Sequence, residues 1–331
     1  MVIKLLLILI ILLIAFNNKG IPAFLYHNID ENSNVTPELF EEHLKILKSN
    51  NMNTIKIEQL FEKNIPYKSS MITMDDGYVN NYTNVYPLLK KYNMKATIFL
   101  NTAYIGKNEK YMNWDQIKEM HESNVIDFQC HSHTHNYVFV DDKIIGILTG
   151  HEDDHADAHI YGSIKEGYPV FKKRGEYSSR AIIINNDFYE VFREFYLKEL
   201  KNTPKNQLLK KAQEFININK EKYFHEETKE EFENKIKREF LLNKKAIEEH
   251  LGKKVTFFCW PWGHRGKEAM KVLEAVGVKG FVTTRKGTNS YKPDFHMIKR
   301  IELRDFTANK FKINLLICKN LLLGKIYSLL S

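Results

Sequence analysis

The sequence holds only three cysteines in 331 residues, Cys130, Cys259 and Cys318, an odd number set far apart. No disulfide framework can be assigned from them, so the fold must stand on its apolar core. Glycine (15) and proline (8) are too few for a collagen-like or low-complexity chain. No compact Lys/Arg block with interleaved aromatics occurs, and the net charge of +8 is spread over stretches that also carry Glu, which argues against nucleic acid as a partner. The unbroken apolar run 5–16 is too short for a comfortable membrane span.

What is present is a chain with 43% hydrophobic and 27% charged residues, enough to bury a full core in one large domain or two smaller ones. Lys4 ahead of the apolar run 5–16 gives the N-terminus the form of a signal-peptide core. Asn17-Asn18-Lys19-Gly20 offers no Ala-x-Ala cleavage site, so residues 1–19 read either as a removed signal peptide or as an uncleaved signal anchor. Both readings expect the remainder at the extracellular face of the cytoplasmic membrane or secreted.

Buried strands are predicted at 21–26, 54–57, 71–74, 96–100, 126–130, 255–259, 280–283 and 297–303. Helices are predicted between them at 37–49, 79–92, 114–123 and 267–276. Strand followed by helix, repeated this often, predicts an α/β chain with a mainly parallel sheet, open or closed into a barrel, whose chemistry sits at the carboxyl ends of the strands. Residues 139–239 break the alternation and read as a largely helical insertion, a lid or small subdomain; the second of its two long helices, roughly 229–251, runs on past it to end at Gly252, with Phe232, Ile236, Phe240 and Ile247 on one stripe that packs on the main core. The tail, 307–331, reads as one amphipathic helix that either covers the core or lies on a membrane surface.

Three strand ends carry chemistry. In Thr73-Met74-Asp75-Asp76-Gly77-Tyr78, two adjacent carboxylates precede a glycine that permits a tight turn. One can hold a cation while the other reaches a water beside it. In Cys130-His131-Ser132-His133-Thr134-His135, three imidazoles fall within five residues. If the chain turns after Cys130, His131 and His135 can grip one ion while His133 faces elsewhere; if the strand continues, all three share a face. Cys130 reads as a packed thiol. In Trp260-Pro261-Trp262-Gly263, a strand ends in a turn able to offer flat rings and backbone N–H groups to a sugar. The acidic run from His151 to His159, with histidines four apart, is a weaker metal candidate that reads mainly as a solvated loop.

In this order and at strand ends, the motifs resemble the polysaccharide deacetylases of carbohydrate esterase family 4. The likeness extends to Leu25-Tyr26-His27-Asn28-Ile29, Lys95 to Phe99 and Trp114, and looks closest to the branch acting on poly-N-acetylglucosamine. The resemblance implies a distorted (β/α)7-type barrel from residues 20–138 and 240–306. It further implies Asp75 as general base, and Asp76, His131 and His135 as ligands of a divalent metal. Zinc is the first choice for that donor set, with cobalt, nickel or manganese also suited. Substrate contacts are expected at Tyr78, Trp260, Pro261, Trp262 and Gly263. Where many members carry an arginine two residues before the matched Pro261, this chain has Cys259, which leaves Asp75 to be oriented by another group. The motif that supplies the general acid has no clear match, so His296 and His27 stand as alternative candidates. The implied reaction is removal of N-acetyl groups from exopolysaccharide or, second, peptidoglycan. An inactive glycan-binding scaffold and an O-acetyl xylan esterase are the alternatives, and oligomeric state is left open.

Overall fold

A computed structural model describes residues 18–152, 160–304 and 307–331. The apolar run 5–16 and most of the His-rich run lie outside the described residues. Where the sequence carries clear start signals, the helices begin on them. Helix α1 (Pro37–Ser49) is capped by Thr36, whose hydroxyl accepts from the Leu39 N–H at 3.3 Å, and buries Phe40, His43, Leu44 and Leu47 on one face.

Seven parallel strands make the main sheet, in the order β11 (Gly280–Val282), β10 (Phe257–Cys259), β5 (Ile126–Ser132), β4 (Ala96–Asn101), β3 (Ser69–Asp76), β1 (Ala23–Tyr26) and β12 (Ile301–Glu302). The short β2 (Asn53–Thr54) pairs beside β3. Ile298 bridges in parallel to Val282 of β11, and β12 pairs with β1, so the segment 298–302 links the two edges. Helices α2 (Tyr86–Tyr92) and α3 (Trp114–Glu122) complete the strand–helix alternation. This is the distorted (β/α)7-type barrel that the resemblance implies. All eight residues of β3 are buried, as strands covered on both faces require. Ile21, Ala23, Met71, Phe99, Phe257, Val282 and Ile298 fill one cluster of the core.

The chain separates into two compact units. One holds the described residues up to Thr134 with Glu239–Gly263 and Val276–Ser331; the other holds His135–Arg238 and His264–Ala275. The second unit is less helical than its sequence predicts. Besides α4 (Asp187–Phe195) and α5 (Lys205–Tyr223), it contains the antiparallel pair of β6 (Tyr137–Ile147) and β7 (Pro169–Gly175) and the pair of β8 (Ile182–Ile184) and β9 (Phe224–Glu226). Register shifts between Phe139 and Ile144 and again before Gly146 break the period-two pattern that would have marked β6 as a strand. Its own core gathers Phe139, Phe171, Phe188, Phe192, Ala212 and Ile216.

Helix α6 (Lys229–Leu251) carries the expected stripe and sets Phe240 edge-on to Phe258 of β10. Helix α7 (Lys267–Ala275), expected with the barrel, groups with the second unit. The tail is two helices rather than one, α8 (Ala308–Cys318) and α9 (Leu321–Leu330), bent by 113°. Asn320 makes the break, its side chain accepting from the Leu322 and Leu323 N–H groups as the cap of α9.

Candidate active site

Because the sheet is parallel, the ends of β3, β5 and β10 meet at one end of the barrel. The register runs Asp76 to Leu100, Leu100 to Cys130 and Cys130 to Phe258. Strict alternation would send Asp75 and Asp76 to opposite faces. Asp76 instead adopts φ +77° and Gly77 follows at φ +83°, so the chain leaves the strand at the second carboxylate.

Asp75 points into the barrel and is almost completely buried. Arg300, fully buried, grips it with two parallel bonds, Nη1 to Oδ1 at 2.7 Å and Nη2 to Oδ2 at 2.8 Å. The guanidinium is itself fixed: Nε donates to the Thr283 carbonyl at 3.0 Å, Nη1 to Thr73 Oγ1 at 3.3 Å and Nη2 to Cys259 Sγ at 2.9 Å. Burial would raise the Asp75 carboxyl, but the charge and the hydrogen bonds of Arg300 outweigh it and hold Asp75 well below the usual carboxylate range. Asp75 is therefore ionised at neutral pH.

The sign of the linkage follows. The unfolded carboxyl takes up a proton near pH 4, before the folded one does, so the stability supplied by ionised Asp75 is present above that pH and lost as pH falls further. Urea unfolding at neutral and acidic pH is expected to show wild type losing more stability on acidification than Asp75→Asn. Equal losses would contradict the pairing.

His131 sits at the end of β5, buried. Its Nδ1 lies 2.8 Å from the Cys259 carbonyl, and a carbonyl only accepts, so Nδ1 carries the proton and the Nε2 lone pair faces the carboxylates. Nε2 is 3.6 Å from Asp76 Oδ1 and 4.0 Å from Asp75 Oδ2. Strand β5 stops at Ser132, the chain turns, and His135 at φ +56° returns to the same place. One ligand atom each from Asp76, His131 and His135 lies within 4.8 Å of the others. His133 faces elsewhere, its Nδ1 3.0 Å from Thr102 Oγ1. Of the two arrangements open in the sequence, the turn is the one formed.

An oxygen and two imidazoles, one imidazole already oriented by a backbone acceptor, fit a divalent transition metal. Asp76 Oδ1 also accepts from Asn101 Nδ2 at 2.8 Å, and the Asp76 carboxylate accepts from the Tyr78 hydroxyl. The turn between the histidines is braced from α6. Asn243 Nδ2 donates to the carbonyls of Leu100 and Ser132 and to Thr102 Oγ1, and Thr134 donates to Glu239 at 2.8 Å.

Tyr78 stacks on Tyr111, which stacks on Tyr104, with ring centroids 5.4 and 5.2 Å apart. Burial first, then the charge of Asp76, pushes the Tyr111 phenol up to about 12. His27, half-buried just past β1, lies near enough to Asp75 for its charge to act on that carboxylate. His296 is not brought to this end. It is exposed beside Asp294, four residues before Arg300, and four extended residues span about 13 Å. Trp260 is not presented to a ligand either: it is buried between Phe258, edge-on at 5.3 Å, and Phe281, stacked at 5.4 Å. Pro261 is buried, while Trp262 (φ +58°) and Gly263 (φ +66°) form a half-buried left-handed turn. A Cβ on Gly263 would meet Thr284 Oγ1 at 2.4 Å.

Arg300, Asn101 and Asn243 were not singled out by the sequence. The available signal was modest, an arginine between Ile298 and Ile301 in the predicted strand 297–303 and a lone asparagine on the apolar stripe of α6.

The sequence model of a family described as polysaccharide deacetylase matches residues 62–181 and 192–281, more than half the chain. A poly-beta-1,6-N-acetyl-D-glucosamine N-deacetylase of Staphylococcus aureus is 34% identical over 127 residues, covering 36% of this chain and 43% of that one. The chain spans about two fifths of the length of the curated relatives it matches. Among solved structures, a de-N-acetylase from Aggregatibacter actinomycetemcomitans superposes with TM-score 0.62 at 17% identity, over 89% of this chain and 99% of that one. IcaB from Ammonifex degensii superposes with TM-score 0.57 at 17% identity, over 90% and 97%. At such identity these two establish the shared fold.

Proposed function

Since the chain belongs to the polysaccharide deacetylase family, we propose that it is a metal-dependent hydrolase removing N-acetyl groups from an N-acetylglucosamine polymer. The observation that carries this reading is the convergence of Asp76, His131 and His135 beside an ionised carboxylate locked by Arg300. A divalent ion held by those three residues, zinc first among candidates, would polarise the acetyl carbonyl and acidify a water.

The chain's own residues supply the rest. Asp75 takes a proton from the attacking water, and its orientation is fixed because both its oxygens are held by Arg300. A carboxylate held so low is a weak base, so it serves only for a water that has been acidified. Tyr78 and Asn101 hold Asp76 in place. His27 is the proton donor to the departing amine, because it stands at the same end of the barrel as Asp75 whereas His296 does not. The N–H of Trp262, in the left-handed turn that follows β10, serves as the oxyanion donor. Tyr78 and Trp262 contact the sugar.

Poly-β-1,6-N-acetylglucosamine is proposed as the polymer, supported by the Staphylococcus aureus relative, with peptidoglycan second. The apolar N-terminal run supports the outer face of the membrane as the site of action in this reading. The alternative of an inactive scaffold drew support from the arginine absent at Cys259, and Arg300 supplies a guanidinium to Asp75 from the segment that leads into β12. Incubation with β-1,6-linked N-acetylglucosamine oligomers, chitin oligomers and acetylated xylan is expected to release acetate fastest from the first. Release only from acetylated xylan would replace the amide substrate with an ester.

A further inference from the structure

The tail of the chain bears an apolar surface that the barrel does not use. Helix α9 buries only Gly324, whose Cα packs so closely on Thr288 that a Cβ would meet it at 2.4 Å. Its Leu322, Ile326, Leu329 and Leu330 recur at helical spacing and are exposed, the last two by 86% and 84%. Helix α8 adds exposed Ile313 and Leu316. A ten-residue helix with one fully buried residue is marginal in water, so this surface calls for a covering partner.

Two observations say what covers it. The first is charge: residues 307–331 contain Lys310, Lys312, Lys319 and Lys325 and no acidic residue. Lysines bordering an apolar stripe suit a surface that is apolar within and anionic at its edge. The second is the path of the chain. The Gly20 N–H donates to the Lys319 carbonyl at 3.0 Å, and a Cβ on Gly20 would meet the Cys318 carbonyl at 2.2 Å, so the N-terminal segment leaves the fold at the α8–α9 bend. Only Asn17, Asn18 and Lys19 separate Gly20 from the apolar run 5–16, and the four steps from residue 16 to Gly20 reach at most about 14 Å. A bilayer that takes up that run lies within reach of α9.

We infer that α8 and α9 form a docking surface for a lipid bilayer containing anionic lipids. Neither helix alone is long and apolar enough to cross one, a 113° bend separates the two, and α8 is held in the fold by buried Phe311, Leu315 and Cys318. Helix α9 therefore lies along the interface with its leucines in the acyl boundary. Gly20 precedes β1, at the amino ends of the strands, whereas Asp75 and Asp76 end β3. Docking by this face turns the catalytic end of the barrel away from the lipid and toward polymer outside.

The test reads α9 locally, so that attachment through residues 1–17 does not obscure it. The three native cysteines are buried, and a nitroxide can be placed at Leu329→Cys in the full chain, with Lys245→Cys as a control on the exposed face of α6. On adding vesicles of phosphatidylcholine mixed with phosphatidylglycerol, the label at 329 is expected to gain collisions with oxygen and lose collisions with a water-soluble nickel complex, while the label at 245 stays in water. Vesicle-bound protein whose label at 329 remains in water would overturn the inference. So would immobilisation at 329 without vesicles together with a doubled mass, which would make a second copy the partner. Lipid exposure at both sites would equally reject a specific docking face.

Discussion

Asp75→Asn is expected to lower turnover by about 10²–10⁴-fold while the protein still binds its metal, because the substitution removes the proton acceptor and leaves Asp76, His131 and His135 in place. Asparagine keeps the shape of the side chain, so the loss reports chemistry rather than a cavity. It does leave the buried Arg300 charge without its counter-ion, and the assay belongs at a temperature where the variant is shown to be folded. Metal content and turnover measured on the same sample separate the two roles. A fall of less than about tenfold would remove Asp75 from the base position.

Arg300→Met carries the second large effect. Arg300 is fully buried and makes contacts with Asp75, Thr73, Thr283 and Cys259, and its charge is what offsets the burial of Asp75. Removing one partner of a buried pair costs about 3–5 kcal/mol, since the other is left as an uncompensated charge. Urea unfolding should show that loss directly. Kinetics should also show the acidic limb of the pH–rate profile moving to higher pH, because burial then acts on Asp75 with less opposition. Arg300→Lys is expected to recover part of the stability but little of the rate, as an ammonium cannot match both carboxylate oxygens. A variant with unchanged pH profile would show that Arg300 does no more than fill space.

These two residues also show how far the sequence could be read. Asp75, Asp76, His131 and His135 were legible because each lies within a short motif at a strand end, and parallel topology brings such ends together whatever the intervening lengths. Arg300 was not legible as a partner of Asp75, because 225 residues separate them and pairing across the barrel is set by the closure of segment 298–302 onto β11 and β1. Trp260 looked like a sugar platform because it stands in an aromatic turn, yet strand alternation carried it into the core against Phe258 and Phe281. His296 was placed by its proximity in sequence to a strand, and it falls four residues short of the site. The β6–β7 pair was missed because its irregular register erases the alternation that marks a strand. The tail read as one helix because no proline or glycine interrupts it at the break, and the stop comes from Asn320 acting as a cap.

The most direct test of the central claim is acetate release from N-acetylglucosamine oligomers by the full chain, measured as loaded with zinc, after chelation, and after the metal is restored. The arrangement of Asp75 with Asp76, His131 and His135 predicts release by the loaded protein, its disappearance on chelation and its return with the metal. Release that survives complete removal of metal would contradict it.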